Sequence, residues 1–235
     1  MEDKILIFTA TYNESENITN FLKSVDKLNL NVDLLIIDDN SPDKTWEKVQ
    51  NYSKDKKNIH LIIRDKKEGL DTAHKRAYEY SVNNGYKLLI TLDADLTHDP
   101  NDIPRFIEEL KKNTFVIGSR YMPGGKTDIK GWRFFLSYFG NRFFRFIFKI
   151  NCSEYTSSFR GFNLNLLKDF DLKSVNSKGY SFFMESIFRI NDNKIFIKEI
   201  PIYARQRGKG KSKIAKIEIF RTILNVLRLK LKIKN

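Results

Sequence analysis

A chain of 235 residues is long enough for one full α/β domain, and 41% hydrophobic with 30% charged residues excludes a disordered polymer, which would be poorer in Ile, Leu and Phe. Its 42 Lys and Arg against 29 Asp and Glu leave a formal charge of +13, which favours a polyanionic partner: a phosphorylated substrate, a nucleic acid or an anionic membrane surface. A single cysteine, Cys152, excludes an internal disulfide framework and fits a reducing compartment; Met1 to Lys4 lacks a secretory n-region, and no apolar run reaches the roughly eighteen residues of a spanning helix.

In chain order, Ile5 to Thr9 predicts a short strand, and Ser15 to Leu28 an amphipathic helix with Ile18, Phe21, Leu22 and Val25 on one face. Thr11-Tyr12-Asn13-Glu14 lies between them. A second cycle runs Val32 to Ile37, the turn Asp38 to Asp43, then a helix from about Lys44 to Tyr52. A third runs Ile59 to Ile63, a loop with Glu68-Gly69-Leu70, then a helix from about Asp71 to Asn83. The fourth strand, Leu88-Leu89-Ile90-Thr91-Leu92, ends in Asp93-Ala94-Asp95; a loop through Pro100 and a helix to about Lys112 follow, then a fifth strand at Phe115 to Gly118. Strands alternating with helices at this spacing predict βαβ units and a mostly parallel sheet covered on both faces. Ligands of such sheets sit at the C-terminal strand ends. Side chains two apart on an extended chain share a face, so Asp93 and Asp95 are candidates to converge on one cation and the phosphates it carries.

The second half changes character. Segment 132–150 spaces Phe134, Phe135, Tyr138, Phe139, Phe143, Phe146 and Ile147 helically, interleaved with Arg and Lys; such a helix packs on a sheet or lies in a lipid interface with its cations towards phosphates. Ile195 to Tyr203 alternates as a strand, Gln206 to Lys213 is a basic glycine-rich loop, and 214–235 reads as a basic amphipathic helix suited to docking on the domain or on an anionic membrane.

Taken together, Thr11-Tyr12-Asn13-Glu14, Asp38-Asp39-Asn40-Ser41-Pro42-Asp43, Gly69-Leu70, Asp93-Ala94-Asp95-Leu96-Thr97-His98-Asp99-Pro100 and Gly118-Ser119-Arg120-Tyr121 resemble, in order, the donor site of family 2 glycosyltransferases of GT-A fold. The resemblance is closer to one branch, the dolichol-phosphate (polyprenol-phosphate) mannose synthases. It continues through Pro123-Gly124-Gly125, Trp132, the spacing of Arg133, Ser137 and Asn141, Thr156 to Arg160, Gly179-Tyr180 with Glu185, and Ile200-Pro201-Ile202, so it covers about residues 5–215. Departures are Ala10 for the usual Pro, Ser157 for Gly, Phe183 for a frequent Gln and Lys211 for an acidic residue.

The resemblance implies a GT-A-type, Rossmann-like α/β domain with amphipathic interface helices in its second half. It spans 1–235 as one unit: a nucleotide-sugar half at 1–120, an acceptor half with a closing loop at 121–213, and a C-terminal helix at 214–235. The implied reaction is inverting transfer of a hexose, mannose from GDP-mannose in the leading reading, onto a polyprenyl (dolichyl) phosphate. UDP-glucose or another nucleotide sugar is the alternative within the class, and a basic nucleic-acid-binding module the alternative outside it, with carboxylates at several strand ends arguing against nucleic acid. Asp93 and Asp95 would hold Mg2+ or Mn2+, with Thr97 as a further ligand or else a turn residue. Ala10, Tyr12, Glu14, Ile37, Asp39 and Ala94 would line the donor, one of Asp38 and Asp39 serving only to cap the turn. Arg120, Arg207 and Lys213 would clamp phosphates, and Arg133 and Ser137, with Arg120, would present the acceptor phosphate. A phosphomonoester is already ionised near neutral pH, so no general base is required and His98 reads as a loop-fixing hydrogen-bond donor. The implied location is the cytoplasmic face of a membrane, reached peripherally through amphipathic helices or through membrane-spanning partner subunits.

Overall fold

The alternation of apolar runs with amphipathic segments is realised in the computed structural model, which describes residues 3–167, 170–207 and Asn225. The strands are β1 (Ile5–Thr11), β2 (Asp33–Asp38), β3 (Ile59–Ile63), β4 (Leu88–Thr91), β5 (Phe115–Ser119), β6 (Lys126–Thr127), β7 (Arg160–Asn163), β8 (Ile197–Pro201) and β9 (Tyr203–Ala204). The helices are α1 (Ile18–Asp26), α2 (Thr45–Tyr52), α3 (Leu70–Asn83), α4 (Ile103–Leu110), α5 (Trp132–Phe148) and α6 (Ser181–Asp192). Helix α1 buries Ile18, Phe21, Leu22 and Val25, the stripe that a period of about 3.6 residues puts on one face.

The main sheet has the order β3-β2-β1-β4-β7-β5-β8, with the short pair β6-β9 separate. Every pairing among β1 to β4 is parallel, and β5 pairs parallel with β8; β7 alone runs antiparallel, between β4 and β5. Core residues pack on both faces: Phe8, Leu35, Ile37, Phe162, Phe182 and Ile187 on one, and Ile7, Phe21, Ile36, Ile90, Phe106 and Phe159 on the other. The structure thus has the α/β architecture and mostly parallel sheet expected.

Strand β7 has no counterpart in the periodicity reading, because Arg-Gly-Phe-Asn shows neither alternation nor an apolar run. All of its residues are nevertheless buried. Arg160 is tolerated at 1% exposure because its guanidinium donates to the main-chain carbonyls of Ser157 (2.8 Å), Phe183 (2.9 Å) and Tyr155 (3.0 Å) and to the Ser186 hydroxyl. Helix α6, likewise unread, buries Phe182, Phe183, Met184 and Ile187 under the sheet.

Helix α5 spans the aromatic-basic segment, for which packing on the sheet and lying in a lipid interface were the two expectations. It buries only Asn141 and Phe144, leaving Trp132 at 61%, Phe135 at 57%, Phe139 at 59% and Phe146 at 79% exposure. The basic loop 208–213 and nearly all of segment 214–235, and with them Lys213, fall outside the described residues.

Candidate active site

The strand order reverses between β1 and β4. Connections leave to opposite sides at such a point and open a cleft beyond the strand ends. The turn after β1 supplies Tyr12 and Glu14, the turn after β2 Asp38 and Asp39, the loop after β3 Arg64 and Gly69, and the loop after β4 Asp93 and Asp95.

The two aspartates after β2 divide their labour. Asp38 is fully buried and accepts from the Ser41 amide (2.7 Å), the Ser41 hydroxyl (2.7 Å) and Thr11 Oγ1 (2.6 Å), so it is the residue that caps the turn. Asp39 accepts from the Gly69 amide (3.1 Å) and pairs with Arg64, whose guanidinium also donates to Thr72 Oγ1 (2.6 Å) and the Gly69 carbonyl (3.0 Å). Gly69 has a φ of 101°, which L side chains rarely adopt, so this turn is restricted to glycine. Ala10 is half-buried at the end of β1, and Tyr12 carries Lys67 Nζ 4.1 Å from its ring centroid. Ile37, expected as an apolar wall of a nucleoside pocket, has no accessible surface and packs in the core with Phe8 and Ala73, because both of its neighbouring strands and the helix layer cover it.

The carboxylate pair departs from the expected geometry. Strand β4 ends at Thr91, and Asp93 and Asp95 lie in the turn beyond it, where Leu96 takes a φ of 62°. The turn, rather than strand alternation, brings them together. Asp95 Oδ1 accepts from the Thr97 amide (3.0 Å) and hydroxyl (2.7 Å). Thr97, expected as a possible further ligand, therefore uses its proton to fix Asp95. His98 Nδ1 lies 3.4 Å from the Asp93 amide and accepts from it, so it fixes the loop as an acceptor, the reverse of the donor role expected. Ala94 is buried between the two carboxylates.

Partial desolvation in the cleft raises the partly exposed Asp93 carboxyl above its ordinary range; His98 opposes the shift, and the neighbouring negative charges of Asp95 and Glu14 add to it. The opposing cation is Arg207, which donates to Asp95 Oδ2 at 2.9 Å and to Glu14 Oε1. Hard carboxylate oxygens compressed around one positive group suit Mg2+ or Mn2+. Among the described residues no three His, Cys, Asp or Glu side chains form a cage by themselves, and a cation held by two carboxylates and completed by substrate phosphates needs none.

Across the cleft, Arg120 follows β5. Its Nε and Nη2 donate to Glu154 Oε2 and Oε1 at 2.7 and 2.8 Å, and Nη2 also to Thr156 Oγ1 at 2.9 Å. Burial works against the Arg120 charge, but the Glu154 carboxylate outweighs it and raises the guanidinium pKa further. Glu154 is itself fully buried and, despite that burial, is held below the usual carboxylate range by Arg120 and Thr156. Gly125 closes against this loop: a Cβ there would lie 2.6 Å from the Ser119 carbonyl oxygen. Motif reading passed over Glu154, although it stands two residues before the Thr156 to Arg160 block and is the one acid in that stretch.

Arg120 also lines a cavity of about 630 Å³ with Tyr121, Lys126, Phe134, Tyr138 and Tyr203. The hydroxyl of Tyr121 donates to Ser137 Oγ on α5 at 2.7 Å, which places Ser137 at the cavity's edge. Arg133, one turn before Ser137 on α5, is exposed with its guanidinium beside the Trp132 ring, and neither residue is part of the cavity lining itself.

Comparison with known proteins gives the same direction. The profile described as Glycosyl transferase family 2 matches residues 6–170. An undecaprenyl-phosphate mannosyltransferase of Micrococcus luteus is 31% identical over 96% of this chain and 93% of its own length. A polyprenol monophosphomannose synthase of Mycolicibacterium smegmatis is 31% identical over 90% and 81%, and a dolichol-phosphate mannosyltransferase of Pyrococcus furiosus is 30% identical over 96% and 63%. Among solved structures, S. aureus TarS in complex with UDP-GlcNAc aligns with a TM-score of 0.61 at 19% identity, over 97% of this chain and 65% of that one. The mannosyltransferase PcManGT of Pyrobaculum calidifontis, in complex with GDP-Man and Mn2+, aligns with a TM-score of 0.60 at 13% identity, over 100% and 66%. These two share the fold. The sequence match runs through β1 to β7 and so takes in the switch-point cleft and the Asp93–Asp95 turn; the chain belongs to glycosyl transferase family 2 and is a glycosyltransferase.

Proposed function

We propose that this chain transfers mannose from GDP-mannose to the phosphate of a polyprenyl lipid at a membrane surface, with inversion at the anomeric carbon. The observation that carries the reading is the junction at Arg120: a carboxylate-lined cleft at the β1/β4 switch point meets an aromatic cavity that opens beside the exposed face of α5. One side suits a nucleotide diphosphate, the other a lipid phosphate and its chain. The names of the relatives supply the sugar and the lipid class.

In this reading Tyr12, Glu14 and Asp39 receive the nucleoside, with the backbone of Ala10 and Ala94 at its floor. Asp93 and Asp95 would hold Mg2+ or Mn2+, which when bound supplies Lewis-acid stabilisation of the departing diphosphate. Arg207, and Lys213 beyond the described residues, clamp the diphosphate. Arg120, locked along one edge by Glu154, turns its remaining donors to the acceptor phosphate, with Tyr121 and Ser137 beside it. The acceptor phosphate is its own nucleophile, and the residues described supply positioning rather than a base. His74 is a buried core residue, and His98 holds the Asp93 amide. Arg133 joins the membrane-facing surface instead of the phosphate site. Residues 1–120 form the donor half and 121–213 the acceptor half, with 214–235 as a further amphipathic contact.

Helix α5 carries the membrane contact, its exposed Trp132, Phe135, Phe139 and Phe146 entering the interface while Arg133, Arg142 and Arg145 meet phosphates. No helix among the described residues is long and apolar enough to cross a membrane. The cytoplasmic face is the proposed location. The test is transfer from a panel of GDP- and UDP-sugars to a short polyprenyl phosphate with Mg2+ or Mn2+. Mannosyl lipid formed from GDP-mannose is expected; transfer only from a UDP-sugar, or only to a soluble acceptor, overturns the proposal.

A further inference from the structure

We propose that Arg207 is a built-in stand-in for the divalent cation: in the donor-free protein its guanidinium fills the carboxylate corner of the cleft, and a metal-loaded donor binds by displacing it. This rests on the donor reading above but concerns the step before the donor binds. All four oxygens of the two carboxylates are engaged. Asp95 Oδ1 takes Thr97, and Oδ2 takes Arg207 at 2.9 Å. Glu14 Oε2 takes Asn17 Nδ2 at 2.9 Å, and Oε1 takes Arg207. The oxygens that Arg207 covers are therefore the ones a metal ion and a nucleoside hydroxyl would need.

Arg207 is suited to leave. Its side chain keeps 20% of its surface exposed, against 10% and 12% for Glu14 and Asp95, so it withdraws without opening the core. A guanidinium brings one positive charge to a corner where Asp93, Asp95 and Glu14 bring three negative ones, and a divalent ion neutralises the corner more completely. Once the donor arrives, its diphosphate offers the released guanidinium a bidentate acceptor, which offsets the lost ion pairs. The exchange makes metal and nucleotide bind cooperatively: the metal alone must evict Arg207 with nothing to receive it, and with nucleotide present the guanidinium has a new partner.

The experiment is Mn2+ binding to the full chain, followed by the electron paramagnetic resonance signal of free ion, with and without GDP. The variants are Arg207→Ala and a control, Arg205→Ala. Arg205 pairs with Asp99 at 2.6 Å, so its removal costs the same charge two residues away without touching Asp95 or Glu14. Without nucleotide, Arg207→Ala is expected to bind Mn2+ about tenfold more tightly than wild type and Arg205→Ala within about twofold of it; GDP should narrow the gap between wild type and Arg207→Ala. Equal or weaker binding by Arg207→Ala overturns the proposal, as does an equal gain in Arg205→Ala. Failure of every form to bind Mn2+, even with GDP-mannose, would instead refute the metal reading of the site, and the stand-in role with it.

Discussion

The two halves of the molecule solve opposite solvation problems. In the half ending at β5, apolar side chains are inside and the polar groups of the cleft are held by neighbours: Asp38 by Ser41 and Thr11, Asp39 by Arg64 and Gly69, Asp95 by Thr97 and Arg207. In the half that follows, α5 turns most of its rings outward, with Phe146 at 79% exposure, and buries little but Asn141 and Phe144. A contiguous aromatic face of that size is costly in water and ordinary in a lipid interface. The contrast teaches that the fold carries two kinds of surface within one helix length, and that Arg120 with Glu154 stands where they meet.

The comparison can be broken from either side. The largest effect is expected at the donor side, where Asp95→Asn should reduce transfer by about a thousandfold or more while the thermal melt stays close to wild type, since the amide keeps the Thr97 contact. Near-normal turnover would remove Asp95 from the chemistry. At the junction, Glu154→Gln strands a buried Arg120 charge; a destabilisation of about 3 kcal/mol in urea is expected, with kcat falling more than donor affinity and partial rescue in Glu154→Asp. An unchanged kcat would show that the pair only supports the fold.

On the lipid side, Phe139→Ser combined with Phe146→Ser should cut co-flotation with anionic liposomes by about tenfold, leave GDP affinity unchanged, and make residual binding more salt-sensitive. Retained flotation would move the membrane contact elsewhere. The smallest effect concerns His74, enclosed by Phe8, Phe182 and Phe183, where burial, aided by Arg160, lowers its pKa to about 3. The folded state holds His74 neutral while the unfolded chain protonates it near pH 6.5, so this contribution is complete above about pH 6.5 and is lost as pH falls towards 3. Urea midpoints at pH 7 and pH 5 should therefore converge in His74→Phe relative to wild type; an equal pH slope in both would disprove it.

Much of the first half was legible because its signals are local. Ile18, Phe21, Leu22 and Val25 announce their helix face by spacing alone, and a carboxylate pair after an apolar run announces a strand end. The same logic overextended β4: continuing the strand to Asp95 predicted a shared face, whereas the chain turns after Thr91. The resemblance put Ile37 in the donor pocket, and nothing local reveals that two strands and a helix cover it. Arg133 and Ser137, four apart on α5, appeared equivalent, yet Ser137 is bound by the cavity-lining Tyr121 while Arg133 lies against the Trp132 ring.

By itself the sequence determined the α/β order, the placement of the carboxylates at strand ends and the aromatic surplus of α5, since each follows from residue type and spacing within one element. Tertiary structure alone decided the antiparallel insertion of β7, the locking of Arg120 by Glu154 across 34 residues, and the meeting of Arg207 with Asp95 and Glu14 across 112 and 193 residues. Those contacts depend on which strands become neighbours, and a strand such as Arg160–Asn163 earns its place by hydrogen bonds that its own four residues do not announce.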